Sequence, residues 1–307
     1  MMDIDGARDQ LRTLRDYVRW AASRFNEAGL VFGHGTDNAF DEAAALVLHT
    51  LHLPPSIADP YWDARVTRGE ADAILARAER RVRERLPLPY ITGEAWFAGL
   101  SFHVDRRVLV PRSPIAELIE SGFTPWLHPD AVTRVLDIGT GSGCIAVGCA
   151  HAFPDAGIDA GDVSADALAI AELNVRRHGV QDQVNILVSD VYEGLETNAR
   201  YDLIVANPPY VDAVDMAMLA PEYRHEPRLG LEAGEDGLDV VRRILAGAAA
   251  RLNPGGVLVV EVGNSEAAVS RAWPDLPFLW LDFERGGHGV FLLTAEQLQE
   301  HAAQLED

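Results

Sequence analysis

From residue 134 onwards, short apolar runs alternate with longer stretches in which apolar residues recur every three or four positions. Short apolar runs bounded by turn residues are typical of buried strands, and the longer periodicity is typical of helices that pack on a sheet. The pattern predicts strands at residues 134–139, 157–162, 184–189, 201–206, 256–262, 278–283 and 288–293. It predicts helices at residues 143–153, 165–178, 236–252 and 264–272.

Strands that alternate with helices form a parallel sheet with right-handed crossovers, so this part of the chain predicts an α/β, doubly wound fold. The last two predicted strands are separated by residues 284–287 alone, which is too short for a crossover. We therefore expect these two strands to form an antiparallel hairpin. The expected sheet is seven-stranded and mostly parallel.

The first part of the chain has helical periodicity without interleaved strands. Residues 3–53 are predicted to be helical, and Thr67 followed by Glu70 predicts a capping box that opens a helix reaching about Arg85. Two short apolar segments flank Gly99 and predict a β-hairpin. The expected domains are a small helical substrate-recognition domain at residues 1–92, a β-hairpin and linker at 93–120, and the α/β domain at 121–307.

The charge of the chain narrows the choice of partner. The 307 residues carry a formal net charge of −21, from 26 basic and 47 acidic residues. Nucleic-acid binders usually have a basic surface because phosphate contacts carry much of their affinity, so no direct DNA target is expected. An acidic protein attracts a basic protein and speeds the encounter between them.

The sequence also indicates the cellular compartment in which the protein is expected. No apolar run approaches the length of a membrane span, and the N-terminus lacks the basic-then-apolar order of a signal peptide. The two cysteines, Cys144 and Cys149, have no metal-ligand partner nearby in the sequence and are expected to be reduced core residues. We therefore expect a cytoplasmic protein with no membrane partner and no metal site.

A glycine-rich turn follows the first of the predicted α/β strands. Gly139, Gly141 and Gly143 alternate with polar residues, and a predicted helix starts directly after them. Glycines between a strand and a helix let backbone N–H groups approach an anion at the start of the helix. The spacing is not that of a dinucleotide-binding loop, because Cys144 occupies the position where the third glycine is needed. We expect Thr140 and the three glycines to surround a different ligand.

Acidic residues lie at three successive predicted strands. Asp162 ends the second strand, and a carboxylate there suits the two hydroxyls of a ribose. Asp190 follows the third strand and can accept a hydrogen bond from an adenine amino group, and Asp137 in the first strand suits a cationic amino group. Taken singly, Asp162 and Asp190 are better interpreted as helix-capping or solvated strand-end acids, and Asp137 fits a structural acid that bonds backbone N–H groups. Because ligands of open α/β sheets bind at the carboxyl ends of the strands, the acids and glycines together describe S-adenosylmethionine.

The fourth strand leads into Asn207-Pro208-Pro209-Tyr210. Two consecutive prolines fix φ and remove two backbone donors, so the chain leaves the strand as a stiff extended arm. Such an arm suits a planar –NH2 group, which adenine, cytosine and the glutamine side chain all carry. We expect the Asn207 side-chain oxygen and the Pro208 carbonyl to accept the two hydrogens of that group, and Tyr210 to pack on its plane. Asn207 is also predicted to belong to the cofactor site.

The chain resembles the glutamine N5-methyltransferases that modify translation proteins, a family of class I, S-adenosylmethionine-dependent enzymes. Seven segments carry the resemblance: Pro89–Phe97, Val110–Ile119, Val135–Ile145, Asp162–Leu168, Asn207–Val211, Glu222–Pro227 and Gly234–Leu238. They span most of residues 89–293, and the N-terminal domain matches more loosely. The resemblance implies methyl transfer to the side-chain amide nitrogen of a glutamine, with residues 121–307 as the methyltransferase domain.

Two branches of this family share the Asn-Pro-Pro-Tyr segment. The branch that acts on peptide release factors usually reads Pro-Arg-Pro-Glu/Asp-Thr-Glu in the linker, whereas residues 111–117 read Pro-Arg-Ser-Pro-Ile-Ala-Glu. That segment, together with His225 before Glu226, resembles the branch whose substrate is a glutamine of large-subunit ribosomal protein L-three. The resemblance implies that substrate, and the acidic net charge agrees with a basic ribosomal protein.

Three other functions remain open at this point. Methylation of release factors uses the same chemistry on another protein, and an adenine N6-methyltransferase uses the same polar segment on a nucleic acid. A ribosome-assembly factor that keeps the fold and only binds would share every motif. A nicotinamide-dependent oxidoreductase is disfavoured by Cys144 and by the terminal hairpin.

Overall fold

The computed structural model describes residues 4–305. Its Cα positions group into two compact units, one made of residues up to 95 together with 220–225, the other of residues 96–219 and 226 onwards. The first unit is thus discontinuous in sequence. The functional domain boundaries at residues 92 and 120 stay a prediction.

The first unit is helical, as predicted. Its helices are α1 (Ile4–Gln10), α2 (Leu14–Glu27), α3 (Ala39–Thr50), α4 (Arg68–Glu84) and α5 (Leu88–Thr92). The predicted capping box is confirmed, because the Thr67 N–H donates to Glu70 Oε2 at 2.7 Å at the start of α4. The apolar faces of α2, α3 and α4 share one core, with Phe25, Leu46 and Ile74 fully buried.

A buried group of charges also holds the first unit together. Arg81 in α4 is fully buried, and its Nε donates to Glu42 Oε1 of α3 at 2.6 Å. Glu222, from the short segment 220–225, is fully buried and accepts from the Val31 N–H at 3.1 Å. The Glu222 carboxylate lies 2.8 Å from an Arg85 nitrogen and 3.6 Å from an Arg81 nitrogen. Removing one partner of a buried charge pair is strongly destabilising, so this segment is firmly attached to the helical unit.

The second unit contains the sheet. The strands are β1 (Glu94–Phe97), β2 (Leu100–His103), β3 (Arg134–Ile138), β4 (Gly157–Asp162), β5 (Val184–Val188), β6 (Tyr201–Ala206), β7 (Leu252–Glu261), β8 (Leu279–Trp280) and β9 (Val290–Thr294). The helices are α6 (Ile115–Glu120), α7 (Cys144–Ala152), α8 (Ala165–Arg177), α9 (Ala213–Met218), α10 (Asp239–Ala248), α11 (Glu266–Ala272) and α12 (Ala295–Glu300). Strands β1 and β2 form the predicted hairpin as a separate two-stranded sheet.

The remaining seven strands form one sheet in the order β5-β4-β3-β6-β7-β9-β8. Strands β5, β4, β3, β6 and β7 are mutually parallel, and β9 runs antiparallel to both β7 and β8. The fold-class prediction is therefore confirmed. The strand order reverses between β3 and β6, which creates a crevice at their carboxyl ends, where ligands of such sheets bind.

Strands β3, β6 and β7 are buried on both faces. Val135, Leu203 and Val205 point to the core shared with α6 and α7, whereas Ile204 and Ala206 point to the core shared with α10 and α12. Two buried faces require apolar residues at consecutive positions, which explains the continuous apolar runs in the sequence.

Near the C-terminus, two strands begin or end at residues other than those predicted from the sequence. Strand β8 covers only Leu279–Trp280, because Pro277 precedes it and it lies at the edge of the sheet. Strand β7 begins at Leu252, earlier than predicted, and its pairing with β6 shifts register between Tyr201 and Leu203. The sequence Pro254-Gly-Gly256 looks like a turn, and in the structure it is part of this irregular start.

Candidate active site

The crevice between β3 and β6 brings the glycine turn and the Asn-Pro-Pro-Tyr segment together. Ile138, the last residue of β3, pairs with Ala206, the last residue of β6. Gly139 and Asn207 therefore start from neighbouring strand ends. Ala206 also pairs with Val260 of β7, which places the end of β7 beside Asn207 on its other side.

The glycine turn has backbone angles that favour glycine. Gly139, Gly141 and Gly143 have φ values of +72°, +55° and +79°. A Cβ added to Gly139 would meet no atom within 4 Å, so open space lies against the backbone there. Gly143 is different, since an added Cβ would lie 3.1 Å from Cβ of Ala171 in α8. Gly139 thus leaves room for a ligand, and Gly143 permits close packing of helices.

Asp137 lies beneath this turn and is fully buried. Its Oδ2 accepts from the Thr140 hydroxyl at 2.6 Å and from the Ala146 N–H at 3.1 Å. Its Oδ1 is buried and has no hydrogen-bond partner within residues 4–305. Burial raises the pKa of this carboxyl to about 7. A buried oxygen without a partner is costly, so Asp137 is suited to receive a donor from a bound molecule.

Asp162 ends β4 and faces the same turn. Its Oδ2 accepts from the Gly141 N–H at 2.9 Å and its Oδ1 from the Ser164 N–H at 2.8 Å. Burial raises the pKa of Asp162, although these backbone hydrogen bonds act in the opposite direction. Each carboxylate oxygen keeps a lone pair that can accept a further hydrogen bond, as the predicted contact with two ribose hydroxyls requires.

Asp190 follows β5 and has a partner that the sequence did not predict. Its Oδ1 accepts from Arg243 of α10 at 2.8 Å, and both side chains are about half exposed. The interaction with adenine that we expected for Asp190 stays a prediction and would use Oδ2. The arginine could not be recognised from the sequence because it lies on a helix that follows a different strand.

The Asn207 segment presents two unused acceptors. Neither the Asn207 side chain nor the Pro208 carbonyl has a hydrogen-bond partner within the described residues 4–305. Pro208 is buried, whereas Asn207 and Pro209 are partly exposed. The two acceptors are therefore held on a stiff chain and remain available to a donor with two hydrogens.

Tyr210 is anchored at both ends. Its hydroxyl donates to Glu261 Oε1 at 3.1 Å, and its carbonyl oxygen accepts from the Ser265 hydroxyl at 2.8 Å. Glu261 is the last residue of β7 and is 5% exposed. Glu261 was not among the residues predicted from the sequence, although an acid at the end of a fifth parallel strand is the same signal that singled out Asp162.

Residues of the linker also reach this region. The Ser113 hydroxyl donates to Glu261 Oε2. Arg112 forms a two-pronged ion pair with buried Glu226, at 2.5 and 2.8 Å, and Glu226 also accepts from the Val110 N–H at 3.0 Å. These contacts attach the linker to the loops at the carboxyl ends of the strands.

The site fits S-adenosylmethionine. The unpartnered Asp137 Oδ1 suits its amino group, the open space at Gly139 suits its methionine end, and Asp162 lies where a ribose is expected. Across the crevice, Asn207 and Pro208 can hold an –NH2 group. Within residues 4–305, no group of three or more His, Cys, Asp or Glu residues could hold a metal ion. A donor site beside a clamp for a nitrogen acceptor is the arrangement that a methyl transfer requires.

A family model agrees with this assignment. The model of the methyltransferase small domain matches residues 123–222, which include the glycine turn and the Asn207 segment. Together, the fold and the site define a class I, S-adenosylmethionine-dependent methyltransferase.

Curated relatives define the family more closely. The chain is 52% identical over 293 residues to the ribosomal protein uL3 glutamine methyltransferase of Neisseria meningitidis serogroup B, which covers 95% of this chain and 96% of the relative. It is 53% identical over 292 residues to the protein of the same name from Bordetella pertussis, covering 95% and 98% of the two chains. The chain belongs to the family of ribosomal protein uL3 glutamine methyltransferases.

A solved structure shares the fold at low identity. The human Mettl16 catalytic domain in complex with MAT2A 3′UTR hairpin 6 superposes with a TM-score of 0.50 and 18% identity, over 73% of this chain and 80% of that chain. This similarity concerns the fold alone.

Among the helices between residues 4 and 305, none combines the length and apolar character needed to cross a membrane.

Proposed function

We propose that this protein transfers a methyl group from S-adenosylmethionine to the side-chain amide nitrogen, N5, of a glutamine in ribosomal protein uL3, the large-subunit protein L-three. The observation that carries the proposal is the pair of unused acceptors at Asn207 and Pro208, next to the turn that suits the cofactor. Family membership at 52% identity over 95% of the chain supports the choice of substrate.

On the acceptor side, the protein orients a weak nucleophile. The lone pair of a carboxamide nitrogen is delocalised into its carbonyl group, so the nitrogen must be held for reaction. The Asn207 side-chain oxygen and the Pro208 carbonyl accept its two hydrogens, and the Tyr210 ring packs on the amide plane. Pro209 keeps the segment rigid. Alignment of this kind can lower a barrier by ~7–11 kcal/mol.

On the cofactor side, the chain supplies polar groups to each part of the molecule. S-adenosylmethionine, when bound, supplies an electrophilic methyl group on a positively charged sulfur. Asp137 holds the amino group, and Gly139, Thr140, Gly141 and Gly143 surround the methionine end. Asp162 holds the ribose hydroxyls, Asp190 the adenine amino group, and Asn207 lies between the two sites. The proton that leaves the glutamine nitrogen passes to solvent.

Other features complete the proposal. The N-terminal helical unit recognises the substrate protein, and the net charge of −21 favours a basic partner. Because ribosomal proteins are made and assembled in the cytoplasm, we place the protein there.

A reconstituted reaction tests this function. Purified uL3 from cells that lack the enzyme is incubated with S-adenosylmethionine labelled on the methyl group, and digested peptides are analysed by mass spectrometry. We expect one glutamine to gain the mass of one methyl group on its side chain. Peptide release factor and adenine-containing oligonucleotides serve as competing substrates in parallel reactions. Preferential labelling of either competitor, or binding of the cofactor with no turnover, would reject uL3 as the substrate.

A further inference from the structure

We propose that Glu261 is a positioning residue of the methyl transfer, acting through Tyr210 on the Asn207-Pro208 acceptors; this inference rests on the proposed function. Glu261 ends β7, and its neighbour Val260 pairs with Ala206, the residue before Asn207.

Two hydroxyls donate to the Glu261 carboxylate. Tyr210 Oη donates to Oε1 at 3.1 Å, and Ser113 Oγ donates to Oε2. Ser113 Oγ also accepts from the Ile115 N–H at 3.1 Å at the start of α6, so Ser113 is itself fixed. Glu261 thus joins the linker and the Asn207 segment through one side chain.

The main chain and the ring of Tyr210 are confined as well. An added Cβ on Gly263 would lie 2.7 Å from Tyr210 Cε2, and one on Gly237 would lie 2.5 Å from the Tyr210 carbonyl oxygen. Ser265 donates to that same carbonyl at 2.8 Å. Both glycines have positive φ values, +45° and +77°, so the backbone conformation at these positions itself favours glycine. Tyr210 is therefore held at its hydroxyl, its ring and its carbonyl oxygen. Because Tyr210 is the last residue of the Asn-Pro-Pro-Tyr segment, these contacts also hold that segment.

The chemistry of Glu261 is hard to explain by packing alone. The side chain is 5% exposed. The positive charge that acts on it is Arg112, which forms its own ion pair with Glu226. Burial raises its pKa to about 7 and also raises the pKa of Tyr210, which keeps the hydroxyl proton available for donation. A buried carboxyl is costly unless it is hydrogen-bonded, and here the two hydroxyls supply those bonds, so the acid is suited to orienting Tyr210 and Ser113.

A double-mutant cycle tests the proposal. Tyr210→Phe and Glu261→Leu each remove one side of the hydrogen bond, and we expect each to lower kcat by ~100-fold, the effect of a small misplacement of reacting groups. The double variant is expected to be no slower than the worse single variant, because both act through one contact. The affinity for S-adenosylmethionine, measured by calorimetry, is expected to stay within about twofold. Additive losses in kcat, or losses confined to KM for the cofactor, would overturn the proposal.

A conservative variant guards against unfolding. Glu261→Gln keeps an acceptor for Tyr210 and a polar group for Ser113, so we expect its kcat to recover to within about tenfold of the wild type. A Gln variant as slow as the Leu variant, with an unchanged melting temperature, would reject positioning by hydrogen bonds.

The chain offers a matched control at the opposite end of β6, the strand that leads into Asn207. Tyr201, the first residue of β6, donates its hydroxyl to Asp159 Oδ2 at 2.8 Å. Tyr201→Phe removes an equivalent hydrogen bond far from Asn207, and it is expected to alter stability without lowering kcat. If the wild-type protein labels no glutamine in uL3, the proposed function fails. If the wild type is active and Tyr210→Phe behaves like Tyr201→Phe, only the role of Glu261 fails.

Discussion

At the scale of single residues, the site depends on polar atoms whose partners are missing from the protein itself. Asp137 Oδ1 is buried without a donor, and the acceptors of Asn207 and Pro208 are likewise unused within residues 4–305. Native proteins rarely leave a buried polar atom unpaired, so Asp137 Oδ1 in particular is a place where a ligand gains from binding.

The first prediction concerns Asn207. Asn207→Ala removes one preorganised acceptor, and we expect kcat to fall by roughly 100- to 1,000-fold. Cofactor affinity should change little, because the glycine turn and Asp162 are untouched. Methyl transfer to uL3 and calorimetry measure the two quantities. Asn185→Ala, on the exposed side of β5, is the control and should keep full activity; an Asn207→Ala enzyme of similar activity would remove the residue from the mechanism.

The second prediction concerns the protonation of Asp137. Its pKa of about 7 in the free protein means that the carboxyl is largely protonated below that pH. A cationic amino group favours the ionised form, so binding should release a proton below pH 7, and affinity should rise as the pH approaches 7. Calorimetry in buffers of different ionisation enthalpy measures this release. Asp137→Asn should bind more weakly and with little dependence on pH; equal proton release by both proteins would contradict the prediction.

The same shift sets the sign of a stability effect. An aspartate in the unfolded chain has the ordinary pKa of 3.8, against about 7 for folded Asp137. The folded protein therefore binds more protons between these values, and the contribution of Asp137 to stability falls as the pH rises through that window.

At the scale of secondary-structure elements, the site depends on the turns that connect the end of a strand to the start of the next helix. The turn from β3 to α7 uses three glycines with positive φ, and each has a different surrounding. Gly139 faces open space, whereas Gly143 lies against α8. The turn thus combines a ligand-facing half with a packed half.

Gly143→Ala tests the packed half. The substitution combines a φ of +79° with a Cβ that would lie 3.1 Å from Ala171 Cβ. We expect the free energy of unfolding to fall by about 1–3 kcal/mol. Urea denaturation followed by circular dichroism measures it. Gly157→Ala at the start of β4 is the control, because its φ is ordinary and no atom lies within 4 Å of an added Cβ; equal stability of the two variants would show that the close packing is unimportant.

At the scale of the whole molecule, charge is expected to govern the encounter with the substrate. The net charge of −21 attracts a basic protein over a distance that salt shortens, from ~10 Å at 0.1 M to ~3 Å at 1 M ionic strength. We expect KM for uL3 to rise by roughly tenfold over this range, with kcat at saturation nearly constant. Steady-state kinetics at several salt concentrations measure both. A KM that is constant or falls with salt would rule out electrostatic attraction.

Sequence patterns predicted most of the fold because the signals are local. The parallel strands, the Thr67 capping box and the antiparallel end of the sheet follow from residues a few positions apart, and all three are present. The short β8 and the early start of β7 were missed because sheet pairing, and not local propensity, decides where an edge strand or an irregular strand begins.

The sequence by itself determined the rigid segment at Asn207 and the glycine turn, since prolines and glycines act on their own backbone. Only the tertiary structure decided which distant groups meet: Ser113 with Glu261, Arg243 with Asp190, and Arg81 with Glu222. These pairs form because strand order and helix packing bring together residues that are far apart in the sequence. No local pattern of apolar and polar residues predicts such a contact. The motifs therefore predicted the methyl-transfer chemistry, whereas the contacts that position the residues of the site were found only in the folded chain.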